Sequence, residues 1–354
     1  MTKAMRDGAP DPGRDADPRA GVRAGERTGE RRRAMRLDDA AALELDRRPA
    51  RLLAFGSQLL HGSVGLNAAE RVYAGRGIRA VRVPTILLSV MPHYASVHDV
   101  RVSPTWISDA LADLEAANAL DRVELVTAGY FASPGQPAAV ADWFARQPAE
   151  TRPPLILDPT LGDTELGFYT DPGLVPALLE ELVPLATGIV PNLFELAHLS
   201  GRPIASLSSR EAIEAAARSL MGERTEWIAV TGVRIAAPWD TPGDTPDHAP
   251  DRTPGHASGH APDRGGQTVC ELLVRPNGSS AHPHRAFETR AKGLGDTFTA
   301  ALVAALLGGE AVGDAVGDAV DAAASEVRAL THGPAEPADP AEPAEPADGP
   351  LRER

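Results

Sequence analysis

Short apolar runs and amphipathic stretches alternate along most of the chain. Runs rich in Leu, Ile and Val, each closed by a turn residue, occur at RLLAFG (51–56), RAVRVPT (79–85), RVELVTAG (122–129), PLILDP (154–159), TGIVPN (187–192) and EWIAVTG (226–232). Runs of this length and composition predict strands. The stretches between and after them carry apolar residues at helical spacing and predict helices at about 65–76, 104–119, 135–147, 173–183, 192–200, 208–222, 296–308 and 312–330. SPTWISDALADLEAAN has the start signals of a helix, a serine at the cap and a proline in the first turn. VCELLVRP (269–276) and HRAFET (284–289) predict a late hairpin. The alternation predicts an α/β fold with three α/β/α layers around a mostly parallel central sheet.

Three segments break the pattern. Residues 1–48 hold few large apolar side chains, 238–268 repeat Pro, Gly, Asp and His, and 332–354 form an acidic Pro/Ala tail. Such compositions bury too little surface to offset the entropy of ordering, so all three are expected to be disordered, leaving one folded domain at 49–331 that carries 238–268 as an insertion. Met35 is an alternative start. His248, His256 and His260 lie in the insertion and are expected to act as solvated spacer rather than metal ligands.

Charge and cysteine content narrow the function. A formal net charge of −14 argues against nucleic acid, which needs a concentrated basic face; RRRAMR at 31–36 sits among acidic residues. A single cysteine, Cys270, excludes an internal disulfide and fits a reducing cytoplasm. No apolar run reaches the ~18 residues needed to cross a bilayer, and the N-terminus lacks a secretory h-region.

In a doubly wound sheet, ligands collect beyond the carboxyl ends of the strands. Polar or glycine-rich groups recur there: Gly56 and Ser57, Gly129 and Tyr130, Asp158 with Gly162 and Asp163, Asn192 with Glu195, Thr231 with Gly232, and Gly293, Leu294, Gly295 and Asp296. GLGD fits neither the dinucleotide fingerprint, since Phe298 occupies the third glycine position, nor a Walker loop. It supplies backbone N–H groups at a helix N-terminus, suited to an anion. Asp296 has two readings, a helix N-cap or a base that takes a proton from an attacking hydroxyl beside a phosphate. Asp158, Asp163 and Glu195 are oxygen ligands suited to Mg²⁺, and Asn192 can donate to a phosphate oxygen. Asn192 and Glu195 also have capping-box spacing, and both roles can coexist.

The order G-S…GYxxSPGQ…DPxxGD…PNxxE…TG…GxGD resembles the ribokinase-like superfamily and, within it, the pyridoxal kinases, over roughly residues 50–330 without the insertion. FGSQLLHGSVGLNAA, TAGYFASPGQ and LDPTLGD narrow the resemblance. Hydroxymethylpyrimidine kinases of that superfamily usually carry Cys where Asp296 stands. The resemblance implies an ATP-dependent kinase acting on the 5′-hydroxymethyl group of pyridoxal or another B6 vitamer; the alternatives are a kinase for another small hydroxymethyl heterocycle or a sugar, and a non-catalytic relative that binds pyridoxal or nucleotide. Asp296 would be the base, with Gly293 and Gly295 as the anion hole. ATP would be bound by Asp158, Asn192, Glu195, Thr231 and the Gly293–Leu294–Gly295 loop, and Mg²⁺ by Asp158, Asp163 and Glu195. Ser57 and Tyr130 would contact the pyridine ring. A homodimer and a monovalent cation are also implied. The flap expected at 86–100 departs from the family pattern F-S-N-H-T-x-Y-G: Ser89 and Tyr94 match, Val90, Met91, Pro92 and Ala95 do not, and His93 has two readings, a surface-loop histidine first and a substitute contact for the substrate second. Leu294 replaces a usual hydroxyl residue in the anion hole.

Overall fold

Leu53 and Phe55 face one side of the first strand while Leu52 and Ala54 face the other, and all four are buried. Such doubly apolar strands belong to a sheet covered on both faces. In the computed structural model, which describes residues 45–234, 268–287 and 289–331, that is the arrangement. The segments 1–48, 238–268 and 332–354 lie outside the described residues, apart from 45–48 and 268.

The first half of the chain gives β1 (Leu52–Leu59), α1 (Gly65–Gly75), β2 (Ala80–Leu88), β3 (Asp99–Arg101), α2 (Pro104–Ala116), β4 (Leu125–Ala128), α3 (Gly135–Arg146) and β5 (Leu155–Leu157). A small hairpin, β6 (Gly162–Asp163) and β7 (Gly167–Phe168), precedes α4 (Leu174–Glu181), β8 (Gly188–Ile189), α5 (Leu193–Ser200), α6 (Arg210–Ser219) and β9 (Trp227–Val233). The chain ends with β10 (Thr268–Arg275), β11 (Gly278–Arg285), α7 (Leu294–Leu307) and α8 (Val312–Thr331).

Nine strands form one sheet in the order β11-β10-β9-β8-β5-β4-β1-β2-β3. The run from β9 to β2 is parallel, and β3, β10 and β11 are antiparallel additions at the edges. One face packs on α2 to α6, the other on α1, α7 and α8, giving the three layers. α7 is apolar nearly all round, as a helix held between sheet and α8 must be, and Phe298 and Leu302 are core residues. Local signals set the helix starts. Ser103 caps α2 through the Trp106 N–H at 3.1 Å, and Ser209 caps α6 through the Ala212 N–H at 3.3 Å.

Because β2 lies on one side of β1 and β4 on the other, the order in which strands are added reverses there, and the crevice at their carboxyl ends is the expected ligand position. The late hairpin differs from expectation. Its second arm is Gly278–Arg285 rather than 284–289, since Pro276 and Asn277 form a two-residue turn between the paired Arg275 and Gly278. β11 is a polar edge strand containing Pro283, so it lacks the apolar run that marks a strand in sequence. The same reason hides β3, whose three residues are all exposed. No helix among the described residues is long and apolar enough to cross a membrane.

Candidate active site

The crevice beside β1 and β4 holds a cavity of about 40 Å³ bordered by Gly56, Gly65, Gly129, Tyr130, Asp158 and Asp296. Asp158 follows β5 directly, and Asp296 lies in the first turn of α7. The Asp158 N–H donates to the Ala128 carbonyl at 2.8 Å, so β4 fixes the residue's position. Its Oδ1 accepts from the Thr160 hydroxyl at 2.9 Å and its Oδ2 from the Thr299 hydroxyl at 2.7 Å. Thr299 and Thr160 were not foreseen. Thr299 stands three residues after Asp296 and so shares its helix face, a signal the sequence did contain.

Burial raises the pKa of both carboxylates, and Asp158 adds to the rise at Asp296. Burial, and then the charge of Asp158, push Asp296 up to about 6, against an opposing backbone bond from Gly65. Burial likewise raises Asp158, while Thr299 and Thr160 pull it back. The Tyr169 phenol, just past β7, is raised first by desolvation and then by the charges of Glu195, Asp158, Asp296 and Asp163, although the residue is half exposed. Sequence reading missed Tyr169 as well.

The capping alternative for Asp296 does not hold. α7 begins two residues earlier, with Gly293 at the cap, and Asp296 is its third residue. Gly293 adopts φ 96, and a Cβ there would strike the Ser63 carbonyl, so the loop requires glycine. Gly295 has open space where a Cβ would be, which leaves its side of the helix end clear for a ligand. Across that helix end lies a second cavity of about 280 Å³, bordered by Thr231, Gly232, Leu294 and Gly295 at one end and by His284 and Phe287 among others.

Several other expected residues hold the frame. Asn192 caps α5, and its Nδ2 donates to the Gly162 carbonyl at 2.8 Å. Glu195 completes the capping box: Oε2 accepts from the Asn192 N–H and Oε1 from the Leu161 N–H, both at 2.9 Å. It is nonetheless pushed up to about 8 by burial and by Asp158. Asp163 accepts from the Glu165 and Leu166 N–H groups and pairs with Lys292 at 3.2 Å. Thus Asp158, Asp163 and Glu195 do not assemble as three ligands, and no group of three His, Cys, Asp or Glu among the described residues could hold a metal ion. The capping and turn interactions have claimed Glu195 and Asp163.

Ser57 is buried where the β1 register against β2 shifts, with its hydroxyl against Gly65 rather than on the cavity wall. Tyr130 does border the cavity, and its carbonyl accepts from the Thr85 hydroxyl at 2.6 Å. Gln136 of the SPGQ stretch is fully buried, donating to the Thr85 and Val102 carbonyls at 2.8 and 2.6 Å, and so ties the Tyr130 turn to the base of the β2–β3 arm. His93 lies at the exposed tip of that arm, stacked on Tyr94 with centroids 4.6 Å apart.

An α/β sheet whose crevice sets a carboxylate pair against one side of a glycine-led helix end, and a larger cavity against the other, has its class in common with proteins of known function: it is a small-molecule kinase of ribokinase-like architecture. A model of the phosphomethylpyrimidine kinase family matches residues 65–336. The pyridoxine/pyridoxal/pyridoxamine kinase of Bordetella bronchiseptica is 37% identical over 256 residues, 72% of this chain and 80% of that protein. Among solved structures, pyridoxal kinase from Entamoeba histolytica superposes with TM-score 0.65 at 21% identity, covering 79% of this chain and 90% of that one. Pyridoxal kinase from Leishmania donovani, in complex with ADP, gives TM-score 0.64 at 22% identity, covering 80% and 88%. The chain therefore belongs to the phosphomethylpyrimidine kinase family of the ribokinase-like superfamily, in its pyridoxal kinase branch.

Proposed function

We propose that the protein transfers the γ-phosphoryl group of ATP to the 5′-hydroxymethyl group of pyridoxal or another B6 vitamer, with Asp296 as general base. The observation that carries this reading is the position of Asp296: it borders the narrow cavity, inside the first turn of a helix whose opposite side borders the nucleotide-sized one. A hydroxyl in the narrow cavity would hand its proton to the Asp296 carboxylate as its oxygen attacks the terminal phosphorus. Amides of the Gly293–Leu294–Gly295 turn and the dipole of α7 would stabilise the charge on the transferring group. Leu294 contributes backbone alone.

Thr231 would contact the ATP phosphates from the end of β9. Asn192 and Glu195 would act through the Leu161–Gly162 backbone they hold, and Tyr130 would lie against the substrate ring. Ser57 would act through the bulge of β1, and the arm bearing His93 would cover the site and exclude water.

Mg²⁺ fits the donor chemistry at one point. Asp158 is a buried carboxylate beside a second carboxylate, both raised by burial, and a hard cation among oxygen donors relieves that repulsion. Asp158 would hold it, together with water and phosphate oxygens. When bound, the ion neutralises charge on the β- and γ-phosphates. Asp163 is left out of this set because Lys292 and two N–H groups already engage it. A monovalent cation, a homodimer and a cytoplasmic site of action belong to the same reading.

The test is ADP formation with pyridoxal, pyridoxine, pyridoxamine and hydroxymethylpyrimidine in turn. Turnover with a B6 vitamer and far less with hydroxymethylpyrimidine supports the assignment. The reverse preference would move the chain to the other branch of its family.

A further inference from the structure

The wall of the larger cavity contains a buried ionic pair that the reaction scheme above does not use. β9 and β10 pair antiparallel, but Val233 pairs with Cys270 and Val230 with Leu272, so Thr231 and Gly232 together oppose Glu271 alone. This is a β-bulge, a device that re-aims side chains at the end of a strand, and Gly232 has the positive φ, 66, that such a bulge accommodates.

Glu271 is buried and uses both oxygens. Oε2 accepts from the Gly232 N–H at 2.8 Å, and Oε1 meets Nε2 of His284 at 3.0 Å. The other ring nitrogen of His284, Nδ1, lies 2.9 Å from the Arg285 carbonyl oxygen. Carboxylate and carbonyl are both acceptors, so the doubly protonated imidazolium alone donates to both. Burial by itself would lower the pKa, yet the bonds to Glu271 and to the Arg285 carbonyl hold His284 above the usual histidine range. The His284 ring also stacks on Phe287, with centroids 5.0 Å apart.

We propose that Glu271 and His284 are a positioning pair for the nucleotide: Glu271 fixes the bulge that aims Thr231 at the phosphates, and His284 with Phe287 forms the wall that receives the purine base. The proposal rests on reading the larger cavity as the ATP site. Among the described residues, the other charged side chain on that cavity is Arg234, beyond β9. α7 and α8 contribute the apolar Leu294, Phe298, Val320 and Ala323, and across the hairpin His282 stands in register with Glu271 and is bonded to Ser280. As pH rises through its pKa, His284 loses a proton and can keep just one of its two bonds, so the wall loosens and nucleotide binding weakens.

The experiment measures ADP binding by calorimetry and the ATP KM at saturating pyridoxal, for the full-length wild type, Glu271→Gln, Glu271→Ala and His284→Gln, across the pH range in which histidine titrates. Glu271→Ala is expected to weaken ADP binding and raise the ATP KM by about tenfold, with kcat changed by less than about twofold. Glu271→Gln, whose amide oxygen still accepts from Gly232, should lose less. His284→Gln, which cannot gain charge, should flatten the rise of Kd with pH seen in the wild type. Unchanged ADP affinity in both Glu271→Gln and His284→Gln, a wild-type Kd independent of pH, or a kcat loss at constant KM would overturn the proposal. ADP binding reads the pair even where no vitamer is phosphorylated, so failure of the substrate assignment is distinguishable from failure of the pair.

Discussion

The two cavities that meet at the start of α7 are built on opposite principles. The smaller one, about 40 Å³, is acidic: Asp158 and Asp296 border it together, burial makes both harder to ionise, and the charge of Asp158 adds to the effect at Asp296. The larger, about 280 Å³, is mostly apolar, with one carboxylate on the wall among the described residues, Glu271, engaged by His284 and the Gly232 N–H. The difference teaches where charge is left uncompensated and where it is neutralised in place. On the small side the proposed reaction needs a basic carboxylate for a proton, Asp296, and an oxygen donor for a cation, Asp158. On the large side it fixes geometry and leaves room. The helix end between them, led by Gly293, presents its amides to the boundary.

The sharpest way to break that contrast is to fill the boundary. Gly293→Ala places a methyl against the Ser63 carbonyl at a φ of 96, so the loop must move. Turnover should fall by about 10²-fold or more, as when an oxyanion donor is lost, and thermal unfolding should show a loss of about 1–3 kcal/mol. Near wild-type kinetics would show that the turn is not the phosphate site. A smaller effect is expected inside the acidic cavity. Thr299→Val deletes the 2.7 Å bond to Asp158 and should lower kcat about tenfold while leaving ADP affinity unchanged. Equal damage to ADP affinity would mean that the two cavities do not divide the work as proposed. The smallest effect belongs to the arm. His93 is exposed and stacked on Tyr94, so His93→Ala should raise the KM for pyridoxal by no more than about threefold. A tenfold or larger change would make His93 a direct substrate ligand.

Much of this was legible in the sequence because parallel strands buried on both faces are continuous apolar runs. All six such runs became strands, and every predicted helix formed to within a few residues. Edge strands were not legible: Asp99–Arg101 is exposed and Gly278–Arg285 is polar, so neither carries the apolar signal. The site followed the same logic. Asp158, Asp296, Tyr130, Thr231 and the glycine loop follow strands or open a helix, and topology brought them to the cavities. Residue type cannot reveal which carboxylates are already engaged by N–H donors. For that reason Glu195 and Asp163 read as metal ligands in sequence and prove to be a capping box and a turn. Glu271 and His284 escaped altogether, since their meeting depends on a hairpin register and a bulge that no spacing announces.

The central claim is that Asp296 is the base. Its carboxylate is pushed up to about 6, above the unfolded value of about 3.9. Activity needs the ionised form, so kcat/KM for pyridoxal should rise with pH through about 6 and then level. The folded state binds the extra proton between those two values, so the contribution of Asp296 to stability falls as pH rises across that window. Asp296→Asn removes this cost and should melt no lower than wild type at neutral pH. The decisive measurement is pyridoxal-dependent ADP formation by wild type and Asp296→Asn, with ADP binding followed in parallel. The account predicts a wild-type rate that falls below pH of about 6, and a variant that binds ADP normally yet turns over about 10²- to 10⁴-fold more slowly at every pH. A variant that phosphorylates pyridoxal at the wild-type rate would contradict it.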